Sequence, residues 1–487
     1  TGSNGAVFNN PNILYTGTFD DGSGSYAGSV HGLYFIDCDN VEVKGGQVRG
    51  FNSYGIFFSW LTRDAATPCK NNSVEDCSCR LNRVGGIGYA MQDGFTAKGN
   101  YLAENGLITD QGTGYGISAG SRSTNTNILI TENITYRNFR KGIDIHDGGS
   151  YTITDNHMVE DRLYSFDASS EFSDFTSLIF ADNHAYIDPS YTLAGAPYMY
   201  VYEVQINSNE QPGQGVSRPQ VTINNNHIHN IGSNEVSYSV RPYTFVYAGR
   251  NSCDISFTNN KCEGQIVDDC FYISTKPLAT GRVNVKIKDN SFTLAQAESL
   301  IQILTVPTAV DLTVESSCNT YNIDNVATFN YLYENANFVS QGDKLNNVML
   351  EDVYRLGQGS VRKKIVSVPL SASVQKEIAI LSRGQSGGLY TVHYSAHKTA
   401  GSGGAMVSGI AKFRLATFTG DRTNSAVAVE EDIITTDGAI TLALTWDLSG
   451  VASPSLDYVV SITADSDCDF TCQIDAVCGL DTSTGVV

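Results

Sequence analysis

Basic residues are in deficit: 31 Lys and Arg stand against 51 Asp and Glu, a net charge of −20 at pH 7. A surface of that sign repels nucleic-acid phosphates and anionic membranes, so neither is an expected partner. Long apolar runs are missing too. No stretch approaches the roughly 18–20 residues that a membrane-spanning helix needs, which predicts a soluble chain without membrane insertion. The opening residues, TGSNGAVFNN, lack both a basic region and an apolar stretch, so they do not read as a signal peptide. They read as the middle of a fold, with an upstream segment expected before them. The eleven cysteines form no CxxC pair, which excludes zinc-ribbon spacing, and the eight histidines show no metal-ligand spacing. His227 and His229 share one strand but are accounted for as polar residues flanking a turn. There is no GxSxG elbow, P-loop, HExxH, EF-hand loop or dinucleotide fingerprint. No metal and no cofactor is therefore expected.

What the chain has in abundance is one Asn-centred pattern. It reads TITDNHM at 152–158, IFADNHA at 179–185, TINNNHI at 222–228, SFTNNKC at 256–262 and KIKDNSF at 286–292. Each copy is a short strand, a polar step, an Asn and a second short strand. Weaker copies extend the series to Gly46, Cys77, Asn100, Asn133, Asn156, Asn183, Asn226, Asn260, Asn290 and Cys318, at intervals of 23 to 43 residues. An irregular repeat in this range marks a solenoid. Gly55, Gly86 and Gly142 each follow a ladder position by nine residues. Strands this short leave no room for crossover helices, so they bury their apolar sides only by stacking coil on coil, as a parallel β-helix of about ten coils. The Asn is expected at the turn itself, where it tolerates left-handed dihedrals, in a ladder of stacked amides.

The long intervals place extruded loops at 104–116 and 188–219, the second crowded with Tyr. The expected division is an opening segment at 1–30, the β-helix at 31–357 and, after a boundary at 355–362, an all-β C-terminal domain at 362–487. In that last part, apolar–polar alternation broken by Gly/Ser/Asp turns is the mark of an antiparallel, jelly-roll-like sandwich. Cys468, Cys472 and Cys478 share one parity there and are read as buried structural thiols, which suggests folding in a reducing compartment.

Chemistry is best sought in YRNFRKGIDIHDGG (136–149), where Arg137, Arg140 and Lys141 precede the reactive types. Alternation points Ile143 and Ile145 inward and Asp144 and His146 outward. Upstream, the matching outward positions (Phe57, Ser59, Gly88, Ala90, Ser118, Gly120) are small or aromatic, like a cleft floor. Downstream, the next coils bring Asp167 with Glu171, and then Glu203. Outward residues of adjacent coils lie about 4.8 Å apart, so a β-helix face can supply the carboxyl spacings of about 5 Å for retaining and about 6.5–9.5 Å for inverting glycosidases. Asp144, His146, Asp167 and Glu203 are the candidate catalytic residues. Trp60, Tyr89, Arg140, Tyr164, Tyr202, Arg241 and Tyr243 are the candidate sugar contacts, because sugars favour flat aromatic faces beside charged groups.

The repeat spacing, the Asn ladder and GIDIHDGGSYTITDNH resemble the pectate-lyase-like right-handed parallel β-helices. With a terminal sandwich the chain resembles bacteriophage tailspikes and capsule depolymerases, over 31–355 for the helix and 362–487 for the cap. The resemblance implies a homotrimer on the virion tail, made in the host cytoplasm, that binds and cleaves a bacterial surface polysaccharide. The Asp-rich motif that opens such helices and the virion-binding head are not found, which fits a segment beginning downstream of both. The calcium-binding acidic cluster of pectate lyases is also not found. An endoglycosidase is favoured. In it, Asp144 with Glu203 would be an inverting pair and Asp144 with Asp167 a retaining one. In the alternative, a lyase, His146 or Tyr164 would take the proton α to a uronate and Arg140 or Arg241 would neutralise its carboxylate. A third reading is an adhesin that binds glycan without cutting it.

Overall fold

The computed structural model describes residues 4–15, 30–107, 112–120, 124–170, 175–188, 198–206, 218–231, 239–249, 252–277, 279–304, 309–326, 331–333 and 336–350, and the backbone strands between 352 and 478. Glu171, parts of the two expected loops, most of the opening segment and the side chains of Cys468, Cys472 and Cys478 lie outside the described residues. The elements are all strands. The chain divides into two compact units, Thr1–Thr313 with Asn319–Leu332, and Val314–Cys318 with Tyr333–Val487.

In the first unit each coil lays three short strands on three faces. Ile128–Thr131, Ile134–Tyr136 and Lys141–His146 form one coil; Gly149–Thr154, His157–Val159 and Tyr164–Ser170 form the next. Phe175–Ala181, His184–Tyr186 and Tyr198–Ile206 follow, and then Gln220–Asn224, His227–Ile231 and Ser239–Tyr247. Pairing is parallel on every face, with Thr152, Ile179 and Thr222 in one row on the first and Met158, Ala185 and Ile228 in one row on the second. From Lys261–Thr275 onward the second and third faces continue as one strand. This is a parallel β-helix.

Alternation decides what is inside. On the third face Ile56, Ile87, Ile117, Ile143, Phe166, Tyr202, Tyr243 and Phe271 form one inward column, all buried. Phe58, Tyr89, Ala119, Ile145 and Ala168 form a second. Each Ile and Phe among them contributes about 1.5–3 kcal/mol by leaving water, and the stacking gives coils of unequal length a common core.

The corners carry buried amides. Asn156 Oδ1 accepts from the backbone N and the Nδ2 of Asn133, at 3.0 and 3.0 Å, and its own Nδ2 donates to Ile130 O at 3.0 Å. The same pattern runs from Asn100 through Asn183, Asn226, Asn260 and Asn290. Two details differ from expectation. The rung after Asn290 is Asn319, not Cys318. The left-handed residue is also not the rung but the one before it: Asp155, Asp182, Asn225, Asn259, Asp289 and Cys318 all have φ between 54° and 58°. That residue makes the turn and lets the Asn point inward, where only another amide can satisfy it.

A second ladder, Asn82–Asn105–Asn138–Asp161, precedes the third face. It was not legible in the sequence, because variable loops follow it. Its fourth rung is an acid. Asp161 Oδ1 accepts from the N and Nδ2 of Asn138, at 3.0 and 2.9 Å, and Oδ2 accepts from Thr135.

The second unit carries two antiparallel sheets. Asp352–Leu356, Gly359–Leu370, Cys468–Cys478, Gly388–Lys398, Met406–Leu415 and Val427–Thr436 pair in that order. Lys376–Ser382, Asp457–Ala464 and Leu442–Leu448 form the other. None of the described cysteines of the chain is in a disulfide.

Burial pushes the Asp161 carboxyl up to about 7, against the hydrogen bonds from Thr135 and Asn138. A carboxyl raised in the fold stabilises it fully below its unfolded pKa, and that contribution is lost as pH rises through about 7. Asp161→Asn, which continues the ladder without an ionisable group, is therefore expected to raise Tm at pH 8. The gain should vanish towards pH 4, as thermal melts across that range would show.

Candidate active site

The third face presents its outward residues in columns. One column reads Gly88, Ser118, Asp144, Asp167, Glu203 and Thr244, in unbroken register. Three carboxyls thus stand on consecutive coils at the strand spacing of about 4.8 Å. The neighbouring column reads Tyr54, Gly85, Tyr115, Lys141 and Tyr164. Lys141 and Asp144 are three residues apart yet face the same way, because the chain turns a corner at Gly142. A Cβ there would lie 2.3 Å from Asp161 Oδ2 and 2.7 Å from Ser165 O, so only glycine fits.

The site is compact and closely wired. Lys141 Nζ donates to Asp144 Oδ1 at 2.7 Å and, in a shorter contact, to Asp167 Oδ2. Asp144 Oδ2 takes the hydroxyl of Ser118 at 3.2 Å and His146 Nε2 at 3.0 Å. Both oxygens of Asp144 are occupied. By contrast, Asp167 Oδ1, Glu203 Oε2 and His146 Nδ1 are buried without a hydrogen-bond partner. A cavity of about 550 Å³ opens over Asp167, Asp144, Lys141 and His146, lined also by Tyr54, Tyr115, Arg140, Tyr164, Ser169 and Gln205, with Glu203 one coil on from Asp167, beside the lining. Arg140 donates to Gly112 O at 2.9 Å and to the Tyr115 hydroxyl.

The environment separates the protonation states. Burial works against a charge on Asp144, but the His146 and Lys141 cations overcome it and hold the carboxyl far below the ordinary range. Burial likewise opposes a charge on His146, and the Asp144 carboxylate and its hydrogen bond more than offset that, raising the ring to about 9. At neutral pH this imidazolium donates protons, the opposite of the base considered for a lyase. Asp167 is pushed up by burial and by Asp144, with Lys141 opposing. Glu203 is pushed up to about 8 by burial first and then by the charge of Asp167. The column therefore holds two kinds of carboxyl, ionised at Asp144 and protonated at Glu203.

The expected sugar contacts divide. Arg140 and Tyr164 line the cavity. Tyr89, Tyr202 and Tyr243 do not: they occupy the inward columns at 0%, 2% and 1% exposure, Tyr89 stacked on Phe95 and Tyr243 on Phe271. Parity assigns them to the core. Trp60 follows the end of strand Tyr54–Ser59, outside the cavity lining. Arg241 points outward, but farther along the face, where Nε pairs with Asp269 at 3.1 Å and the guanidinium covers the Tyr272 ring at 3.7 Å. Arg137 is bound to Glu160, away from the cavity. Lys141, at the centre of the site, was seen in the sequence only as one of three basic residues. The three-residue step over Gly142 hides its orientation.

No protein-family model matches the sequence, and no curated protein sequence does either. Solved structures similar to it include the tailspike gp49 of Acinetobacter baumannii bacteriophage Fri1, described as a capsular polysaccharide depolymerase (11% identity over 93% of this chain and 82% of that one, TM-score 0.34). The gp54 tailspike of A. baumannii bacteriophage AP22, solved with A. baumannii capsular saccharide, matches at 11% identity over 92% of this chain and 62% of that one, TM-score 0.38. The Pseudomonas phage phi297 tailspike gp61 matches at 14% identity over 92% and 66%, TM-score 0.29.

Because the raised His146 pKa depends on Asp144, its contribution to stability is complete below the ordinary imidazole pKa and is lost as pH rises through about 9. NMR titration of His146 is expected to give a pKa near 9 in the native protein. In Asp144→Asn it should fall towards about 6.5. An unchanged value would separate the two residues.

Proposed function

We propose that the chain is a tailspike-type depolymerase that hydrolyses a bacterial surface polysaccharide, with Glu203 as general acid and Asp167 as its partner carboxylate. One observation carries the reading. Glu203 and Asp167 stand on adjacent coils, each with a carboxyl oxygen lacking a hydrogen-bond partner, and Glu203 keeps its proton up to about pH 8 while Asp167 is paired with the Lys141 ammonium. Two carboxyls in different surroundings, one held neutral and one against a cation, near the spacing of about 5–5.5 Å used by retaining enzymes, are what glycosidic cleavage needs.

Glu203 would protonate the departing glycosidic oxygen while Asp167 attacks the anomeric carbon. Glu203, now ionised, would then draw a proton from the water that releases the sugar. Lys141 pairs with Asp167 and opposes the upward push that burial and Asp144 exert on its carboxyl. Asp144, with both oxygens occupied, anchors Lys141 and His146 and is a positioning residue. The charged His146 leaves Nδ1 as a donor towards the cavity, suited to a sugar hydroxyl or carboxylate. The wider setting, a homotrimer on a phage tail acting outside the host cell, is the one that the sequence resemblance implies.

Digestion of purified capsular polysaccharide tests this. New reducing ends of retained anomeric configuration are expected, without unsaturated uronate. Unsaturated ends would assign a lyase, and binding without cleavage an adhesin. Glu203→Gln and Asp167→Asn should each lower kcat by about 10²–10⁴ with the fold intact. In the native enzyme, kcat should fall as pH rises through about 8, where Glu203 loses its proton. Full activity in both variants sinks the assignment.

A further inference from the structure

The second face carries a cluster that the proposed activity does not use. Its outward positions on consecutive coils read His157, His184, His227 and then Lys261, with Tyr186 and His229 in the adjoining column. His184 Nδ1 lies 3.2 Å from His229 Nε2, and one nitrogen each of His184, His227 and His229 falls within 4.8 Å of both others. The cluster was invisible in the sequence, where 43 residues separate His184 from His227. The β-helix register closes that gap to one strand spacing.

Two features distinguish this triangle from a solvated aromatic row. His227 Nε2 is buried without a hydrogen-bond partner, its nearest acidic group being Glu263 at 3.6 Å. The 3.2 Å edge is also close to the separation, about 3.3–3.4 Å, of two tetrahedral ligands held at metal–nitrogen distances of about 2.0–2.1 Å. The rings are held in place by stacking: His157 lies over His184 at 5.1 Å and Tyr186 over His229 at 4.4 Å. The ammonium of Lys261, the nearby cation, is bound by Glu263 and so is neutralised where an ion would sit.

We propose that His184, His227 and His229 form a binding site for one divalent transition-metal ion of the zinc, cobalt or nickel class, clipping the coil of His184 to the coil of His227 and His229. Three imidazoles suit these borderline ions and not calcium or magnesium, which require oxygen ligands. The site lies on a different face from the carboxyl column and makes no demand on the reaction.

The full chain, freed of any polyhistidine tag and dialysed against chelator, would be titrated with Zn(II) by calorimetry and with Co(II) by visible absorption. One ion per chain is expected, with Zn(II) raising Tm. His184→Asn and His227→Gln should each weaken binding by about 100-fold or more. His157→Asn, which removes a stacked ring but no ligand, should weaken binding far less than either ligand variant. No one-to-one binding by the folded native chain would overturn the proposal. So would unchanged affinity in a His184→Asn/His227→Gln double variant that keeps the native circular dichroism.

Discussion

Everything in the first unit depends on how its corners satisfy buried backbone. A coil that turns three times leaves peptide N–H and C=O groups inside the fold, where each would cost about 1–3 kcal/mol unpaired. Asn answers this on both sides at once. Its Oδ1 takes the N–H and amide of the preceding rung, and its Nδ2 reaches carbonyls of neighbouring strands. Every rung is thus bonded to the next coil at one residue only. A slip by a single position would break the ladder and exchange the inward and outward columns together. Coil length is free to vary from 23 to 43 residues because the surplus leaves between faces, but the register is not free.

That rigidity turns distant positions into chemical neighbours. Residues 144, 167 and 203 become one column only because the coils between them are locked in register. The second ladder contributes as well. Asp161, its acidic rung, packs against Gly142, and the corner formed there lets Lys141 and Asp144 share a side. The buried structural acid and the reactive strand are two sides of one turn.

The sequence made the spine readable and the periphery less so. The repeat, the alternation and the single face shared by Asp144, Asp167 and Glu203 all follow from a period-two pattern counted from the Asn rungs. Tyr89, Tyr202 and Tyr243 had invited a reading as sugar platforms because of their residue type. Counting parity from Gly88, Glu203 and Thr244 places all three inside. Lys141 was obscured by the irregular step at Gly142, and the histidine cluster by the length of chain between its members. Cys318 was taken for a rung because the left-handed residue and the rung are adjacent, and only hydrogen bonds tell them apart. Composition and periodicity encode the faces. Irregular steps and long intervals encode the contacts, and those need three dimensions.

A buried carboxyl column in a protein of net charge −20 poses a problem of its own. Three adjacent acids removed from water cannot all stay ionised, and an unpaired buried charge is strongly destabilising. The site meets this by internal closure. Asp144 and Asp167 are balanced by Lys141 and His146, and Glu203 keeps its proton. The ionised and neutral members depend on one another. Lys141 opposes the upward push on Asp167, burial and the neighbouring Asp167 keep the proton on Glu203, and Asp144 keeps both cations in place. The difference in proton affinity that makes the column useful for acid–base work is therefore also the condition for burying it.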